Sequence, residues 1–171
     1  EGMIESINER KNEFFRPKVA NVDQALLVFS YVQPPWNQRL LDRFIVMSES
    51  VGVDSVIIIN KIDLLNEKQM EEVNQHKELY ESLGYQVVLV SAQDQRGKDQ
   101  LSSILIDKIS MFSGQSGVGK SSLLNMLEPG LELRTGDISN KIGRGKHTTR
   151  HVELFSLHNG GFLVDTPGFS Q

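Results

Sequence analysis

The sequence predicts an α/β domain built on a doubly wound, mostly parallel sheet with one antiparallel hairpin. Three observations carry that expectation. From residue 19 onward, apolar runs of strand length alternate with segments of helical spacing, the pattern of βαβ units. The runs are near-continuous rather than alternating, as strands covered on both faces require. Two later apolar stretches are separated by His158, Asn159 and Gly160, a turn signal for a hairpin.

Composition bounds the possibilities. A chain of 171 residues is one ordinary domain, long enough to bury about two thirds of its unfolded surface. Hydrophobic content of 39% and charge of 23% are those of a globular protein. A net charge of −4 gives no global attraction to nucleic acid, so any RNA contact must come from a local patch. There is no cysteine, which excludes a disulfide framework and a Cys-ligated zinc site within these residues. The first fifteen residues are too charged for a signal peptide, and no apolar run approaches membrane-spanning length. A cytoplasmic, monomeric protein with no membrane partner is expected.

In chain order, residues 1–18 read as the end of a preceding module or a linker, with a short alternating piece at 2–7 and then a charged run through Glu13. Residues 25–32 form a buried strand. Helical spacing through Leu40, Leu41, Phe44, Ile45 and Met47 predicts a helix over 37–51. A strand at 54–59 precedes a long polar-faced helix at 67–83, stopped by Gly84. A third strand at 86–90, a helix at 97–106 and a strand at 108–113 follow, the last almost without a connecting loop at Asp107. Residues 121–127 form a helix, 128–150 read as loop, and 152–157 with 161–164 form the hairpin.

The chemistry begins at residues 114–122. Gly114, Gln115, Ser116, Gly117, Val118, Gly119, Lys120, Ser121 and Ser122 fit G-x-x-x-x-G-K-[S/T], and the strand before and helix after are those a P-loop needs. Glycines let backbone N–H groups converge on phosphate oxygens where a Cβ would clash, and a helix N-terminus adds positive potential. Lys120 would reach the β- and γ-phosphates, and the Ser121 hydroxyl would ligate Mg²⁺. A Gly-rich turn with an incidental lysine is the bland alternative. These residues point to a nucleoside triphosphate.

Asn60, Lys61, Ile62 and Asp63 follow the strand at 54–59, at the carboxyl end of the sheet where ligands bind. The Asp63 carboxylate can accept two hydrogen bonds from the N1–H and exocyclic amine of guanine, whereas adenine presents an acceptor at that ring nitrogen. Asn60 can bond the base edge and brace the P-loop, and the Lys61 stem can lie along the ring. The competing reading is an ordinary strand-to-helix turn with Asp63 as N-cap. Ser91 and Ala92 end a strand where backbone N–H groups could meet the guanine oxygen.

Asp165, Thr166, Pro167 and Gly168 end the hairpin. Asp165 is placed to hold the Mg²⁺ shell and the Gly168 N–H to sense the γ-phosphate, against the alternative of a capping Asp before a Pro turn. Residues 141–151 lie where a nucleotide-sensing switch would sit. Thr148 or Thr149 could give Mg²⁺ its second side-chain ligand, Thr149 being the first choice. Lys141, Arg144, Lys146 and Arg150 carry positive charge with no acid between them, a candidate RNA-phosphate contact or a solvated loop. Phe169 stands where many GTPases place a water-orienting glutamine. His147 could position that water from the other side, or contact RNA or solvent.

In a Ras-like GTPase the P-loop comes first, then the switch threonine, DxxG, NKxD and the Ser-Ala loop. Here NKID and Ser91-Ala92 precede the P-loop and DTPG comes last, which is a circular permutation. This order, with RPKVANVDQ (16–24), GQSGVGKSSLLN (114–125), GRGKHTTRHVEL (143–154) and DTPGF (165–169), closely resembles the ribosome small-subunit-dependent GTPase family, RsgA (YjeQ, YloQ). The resemblance implies a circularly permuted Ras-like P-loop GTPase domain over residues 19–171. It implies late action in maturation of the bacterial small (30S) ribosomal subunit, with GTP and GDP, Mg²⁺, that subunit and its rRNA as partners. It carries the phosphate role onto 114–122, with Lys120 and Gly168 in the catalytic set, guanine recognition onto 60–63, and a proposed catalytic role onto His147. Family members also carry an N-terminal OB barrel and a C-terminal zinc module with Cys and His ligands; residues 1–7 would be the barrel's last strand, and the zinc module's cysteines are not among these residues. Two other readings remain open: a non-catalytic, guanine-nucleotide-gated RNA-binding module, and a P-loop ATPase or kinase.

Overall fold

The computed structural model describes residue 3 and residues 5–15, 18–131 and 153–165, with side chains for all of these but Leu131, Glu153 and Asp165. Eight strands are described: β1 (Glu13–Phe14), β2 (Val19–Ala20), β3 (Gln24–Ser30), β4 (Asp54–Asn60), β5 (Gln86–Leu89), β6 (Ile109–Ser113), β7 (Glu153–Ser156) and β8 (Phe162–Asp165). Four α-helices accompany them: α1 (Gln38–Glu49), α2 (Glu67–Ser82), α3 (Lys98–Ile104) and α4 (Lys120–Leu127). Short 3₁₀ turns occupy Ile62–Leu64 and Pro129–Leu131.

The main sheet runs in the order β5-β4-β3-β6-β8-β7. All neighbours are parallel except β7, which pairs antiparallel with β8. The expected doubly wound sheet with one hairpin is what forms. Its apolar runs show why. Every residue of β3 is buried, and alternate side chains leave on opposite faces. Ala25, Leu27 and Phe29 join Ile57 and Ile59 under α1 (Leu41, Phe44, Ile45) and α2 (Val73, Tyr80). Leu26 and Val28 join Ile58 and Val88 under α3 (Leu101, Ile104) and α4 (Leu123, Leu124). A strand sandwiched between two helical layers has no polar face to alternate with.

Local signals set the ends. Asn37 caps α1 by accepting the Leu40 N–H at 3.1 Å. Asn66 and Gln69 form a reciprocal capping box on α2. Asp63 is therefore not the cap of that helix. Strand β3 stops at Ser30, two residues before the apolar run ends, because the Ser30 hydroxyl accepts the Gln33 N–H (3.1 Å) and opens a turn. Strand β4 takes in Asn60, so the first residue of the NKID stretch belongs to the rigid sheet.

The core also reaches back into the segment expected to be a linker. Strands β1 and β2 form a small antiparallel pair of their own. Phe14 is buried in the main core, and Asn12 exchanges hydrogen bonds with the main chain of Val22 at 2.7 and 3.0 Å. The flanking charges hid those two inward residues.

Asp23 fastens the start of β6 beside the start of β3. Its Oδ2 accepts the Ile109 N–H at 2.8 Å, while Lys11 Nζ donates to Oδ1 at 2.6 Å. These bonds, the Ile109 N–H first and then Lys11, hold the Asp23 carboxyl below its ordinary pKa. A depressed carboxylate stabilises the fold above its unfolded pKa, and that contribution is lost as pH falls through the folded value. Asp23→Asn is expected to lower stability at pH 7 and to flatten the wild-type decline between about pH 5 and pH 2, read by urea unfolding across that range.

Candidate nucleotide-binding site

The strand order brings four chain segments to one edge of the sheet. The carboxyl ends of β5, β4, β6 and β8 carry, in turn, Ser91-Ala92, the stretch 60–63, the glycine-rich loop 114–119 and Asp165. Only β3 lies between the second and third of these, so the stretch 60–63 and the glycine-rich loop are two strands apart.

The glycine-rich loop is shaped by close approaches. A Cβ on Gly114 would lie 2.2 Å from the Val28 carbonyl oxygen, and one on Gly119 would lie 2.4 Å from Asn60 Nδ2. Gly119 also sits at φ +97, in the region that favours glycine. Lys120 is nearly buried, and its ammonium donates to the Gly114 and Gln115 carbonyls at 3.0 Å each. The side chain thus curls back across the loop and leaves a positive charge beside the start of α4. Ser121 and Ser122 stand in the first turn of that helix, partly exposed.

Asn60 is 2% exposed, and both ends of its amide are used. Nδ2 donates to the Val118 carbonyl (2.9 Å) and Oδ1 accepts the Ala92 N–H (3.3 Å). Lys61 holds a left-handed backbone conformation (φ 66), and its Nζ donates to the Gly117 carbonyl at 2.6 Å and the Gln33 carbonyl at 2.8 Å. Asp63 receives a hydrogen bond from the Ser91 hydroxyl at 2.7 Å. A carboxylate has about four lone-pair sites, so Asp63 keeps capacity for two further donors on a ligand.

The main-chain donors of Ser91 and Ala92 bond within the chain. Their N–H groups go to the Arg96 carbonyl (3.0 Å) and Asn60 Oδ1, and the Ser91 hydroxyl orients Asp63 instead. The Gln33 carbonyl was missed altogether, because a main-chain acceptor leaves no mark in residue type. Also missed was the clasp of Glu128, just past α4. Its buried carboxylate accepts the His158 N–H (2.6 Å) and pairs with the His158 ring. That contact ties the end of α4 to the β7–β8 turn.

Several expected site residues, His147, Thr148, Thr149, Gly168 and Phe169, with Lys141, Arg144, Lys146 and Arg150, lie outside the described residues. Asp165 is placed by its backbone in β8. Among the described residues no group of three or more His, Cys, Asp or Glu could hold a metal ion, and no helix is long and apolar enough to cross a membrane.

Comparison with known proteins fits this geometry. The RsgA GTPase family profile matches residues 7–171. A "Small ribosomal subunit biogenesis GTPase RsgA 2" of Oceanobacillus iheyensis is 52% identical over 170 residues, 99% of this chain and 58% of that protein. The corresponding RsgA of Geobacillus thermodenitrificans is 54% identical over the same span. Among solved structures, YjeQ from Thermotoga maritima matches 97% of this chain and 55% of its own, with a TM-score of 0.82 at 40% identity. YloQ, described as a circularly permuted GTPase, matches 97% and 51%, with a TM-score of 0.75 at 42% identity. The chain therefore spans a little over half the length of the proteins it resembles.

Gly119→Ala tests the close packing of loop and amide. It must displace Asn60 Nδ2 and force alanine into a disfavoured conformation, a strain of about 1–3 kcal/mol. Guanine-nucleotide affinity, measured by calorimetry, is expected to fall about tenfold or more, with the helical circular dichroism signal retained.

Proposed function

This chain belongs to the RsgA GTPase family, and we propose that it binds GTP and GDP with Mg²⁺, hydrolyses GTP, and serves maturation of the small ribosomal subunit. The observation that carries the reading is the path from Asp63 to Ser91, through the Ala92 N–H to Asn60 and on to Val118, which joins a carboxylate suited to guanine with a loop suited to phosphates.

The residues fit their ligand. Asp63, steadied by Ser91, would accept the guanine N1–H and amine. Asn60 and Lys61 hold the base side against the phosphate loop, with the Lys61 stem along the ring. Lys120 would turn its donors from the Gly114 and Gln115 carbonyls to phosphate oxygens. Ser121, in the first turn of α4, would ligate Mg²⁺, with Asp165 and Thr149 (or Thr148) completing its protein contacts. The ion would neutralise charge on the β- and γ-phosphates. The Gly168 N–H would contact the γ-phosphate, and His147 would orient the attacking water in a chain with Phe169 where a glutamine is usual. A site so equipped turns over slowly until a partner completes it. In the relatives the printed function names the small ribosomal subunit. Here the basic residues 141, 144, 146 and 150 are the proposed contact with its rRNA, and the factor acts as a cytoplasmic monomer.

Binding of GTP against ATP is the first test: preference for ATP would overturn the guanine reading. Asp63→Asn turns one acceptor into a donor and should shift preference towards xanthine nucleotides by about a hundredfold or more, as loss of two hydrogen bonds to a charged group implies. Single-turnover GTP hydrolysis by a protein of the relatives' length, with and without small ribosomal subunits, tests the enzyme reading. Stimulation that His147→Ala abolishes is expected. Nucleotide binding without any stimulated hydrolysis would favour a non-catalytic RNA-binding module.

A further inference from the structure

We propose that Trp36 is a positioning residue for nucleotide retention: it fixes the turn whose Gln33 carbonyl holds the Lys61 ammonium on the phosphate loop. The proposal deepens the guanine-nucleotide reading above and rests on it. Residues 31–37 leave the central strand β3 between the two halves of the site, and no motif marks them. Yet the Lys61 ammonium is shared between the Gln33 carbonyl and the Gly117 carbonyl. A lysine reaches its target on a flexible four-carbon stem; a second acceptor on the far side narrows where its charge can sit. The left-handed backbone at Lys61 is the kind of local strain that persists only where surroundings impose it.

The turn itself is tightly made. Gln33 N–H meets the Ser30 hydroxyl, Trp36 N–H donates to the Tyr31 carbonyl at 3.0 Å, and Val32 bridges to Pro35. The Trp36 ring then nails the turn to the helical layer. It lies 4.9 Å from the His76 ring of α2 with planes 31° apart, and meets Phe29 edge-on at 5.9 Å. Tyr31 donates its hydroxyl to Glu72 of the same helix. Burial lowers the His76 pKa, opposed by Glu72, so an uncharged imidazole faces the indole at neutral pH. Trp36, Pro34 and Arg39 line a cavity of about 700 Å³ that opens beside Gln115 of the phosphate loop. With the indole gone, the turn can relax into that space and draw the Gln33 carbonyl away from Lys61.

The test is a double-mutant cycle on release of fluorescently labelled GDP chased by unlabelled GDP. Trp36→Ala is expected to speed release about three- to tenfold, as weakening one hydrogen bond to a charged donor implies. In a Lys61→Met background the same change should add less than about twofold, because the interaction it supports is already gone. Equal acceleration in both backgrounds, or none in either, overturns the proposal, since a merely structural role would not depend on Lys61. If circular dichroism shows Trp36→Ala unfolded, Trp36→Leu carries the same cycle with most of the apolar volume kept. Wild-type protein that fails to bind GDP at all would overturn the nucleotide reading instead.

Discussion

The buried amide of Asn60 is the constraint on which the site depends. An amide taken out of water without partners costs several kcal/mol of lost hydrogen bonding, and this one is used at both ends, towards Val118 and Ala92. Those two bonds fix the phosphate loop and the turn after β5 relative to the end of β4. The bond to Val118 exists only because Gly119, the next residue, has no Cβ to occupy the space of Nδ2. One side chain and one missing side chain therefore act as a single element. Removing either separates the part of the site that would read a base from the part that would hold phosphates.

Charge is prepared in the same way. Two ammonium groups, of Lys61 and Lys120, are directed onto main-chain carbonyls of the phosphate loop: Gly117 for the first, Gly114 and Gln115 for the second. A main-chain carbonyl is a neutral acceptor, so each of these bonds uses an ammonium donor without adding negative charge. Both ammonium groups are thereby held at defined points on the loop's main chain. Such preorganisation matters because groups already in place need no reorganisation when charge appears.

The fold was legible in the sequence because a doubly covered sheet writes continuous apolar runs, and β3, β4 and β5 differ from expectation only at their ends. Those ends carry the lesson. Ser30 ends β3 through a hydroxyl that accepts a turn N–H, and Asn60 extends β4 because its amide is paired across the sheet; neither effect follows from hydropathy. Phe14 and Asn12 were hidden by neighbouring charges, although both point inward. In the site, residues that would touch a ligand announced themselves as motifs, whereas those that hold them did not. Ser91 steadies Asp63 by a hydroxyl where main-chain donors were expected. Gln33 acts through its backbone N–H and carbonyl, so its side chain carries no signal, and Trp36, packed on His76, betrays that the turn is fixed.

The permuted order leaves this arrangement intact for a topological reason. Asn60 meets Val118 across 58 residues of chain, and Lys61 meets Gly117 across 56, so neither contact depends on which segment comes first. They depend on β4 and β6 both flanking β3 in a parallel sheet. Strand β3 lies between β4 and β6, and its exit turn stands beside both Lys61 and Gln115 of the loop at 114–119. A segment in that position can contact both halves at once, as the Gln33 carbonyl and the Trp36–Gln115 cavity wall do. A displacement at the central strand's exit therefore reaches both the Lys61 side chain and the wall of the loop at 114–119.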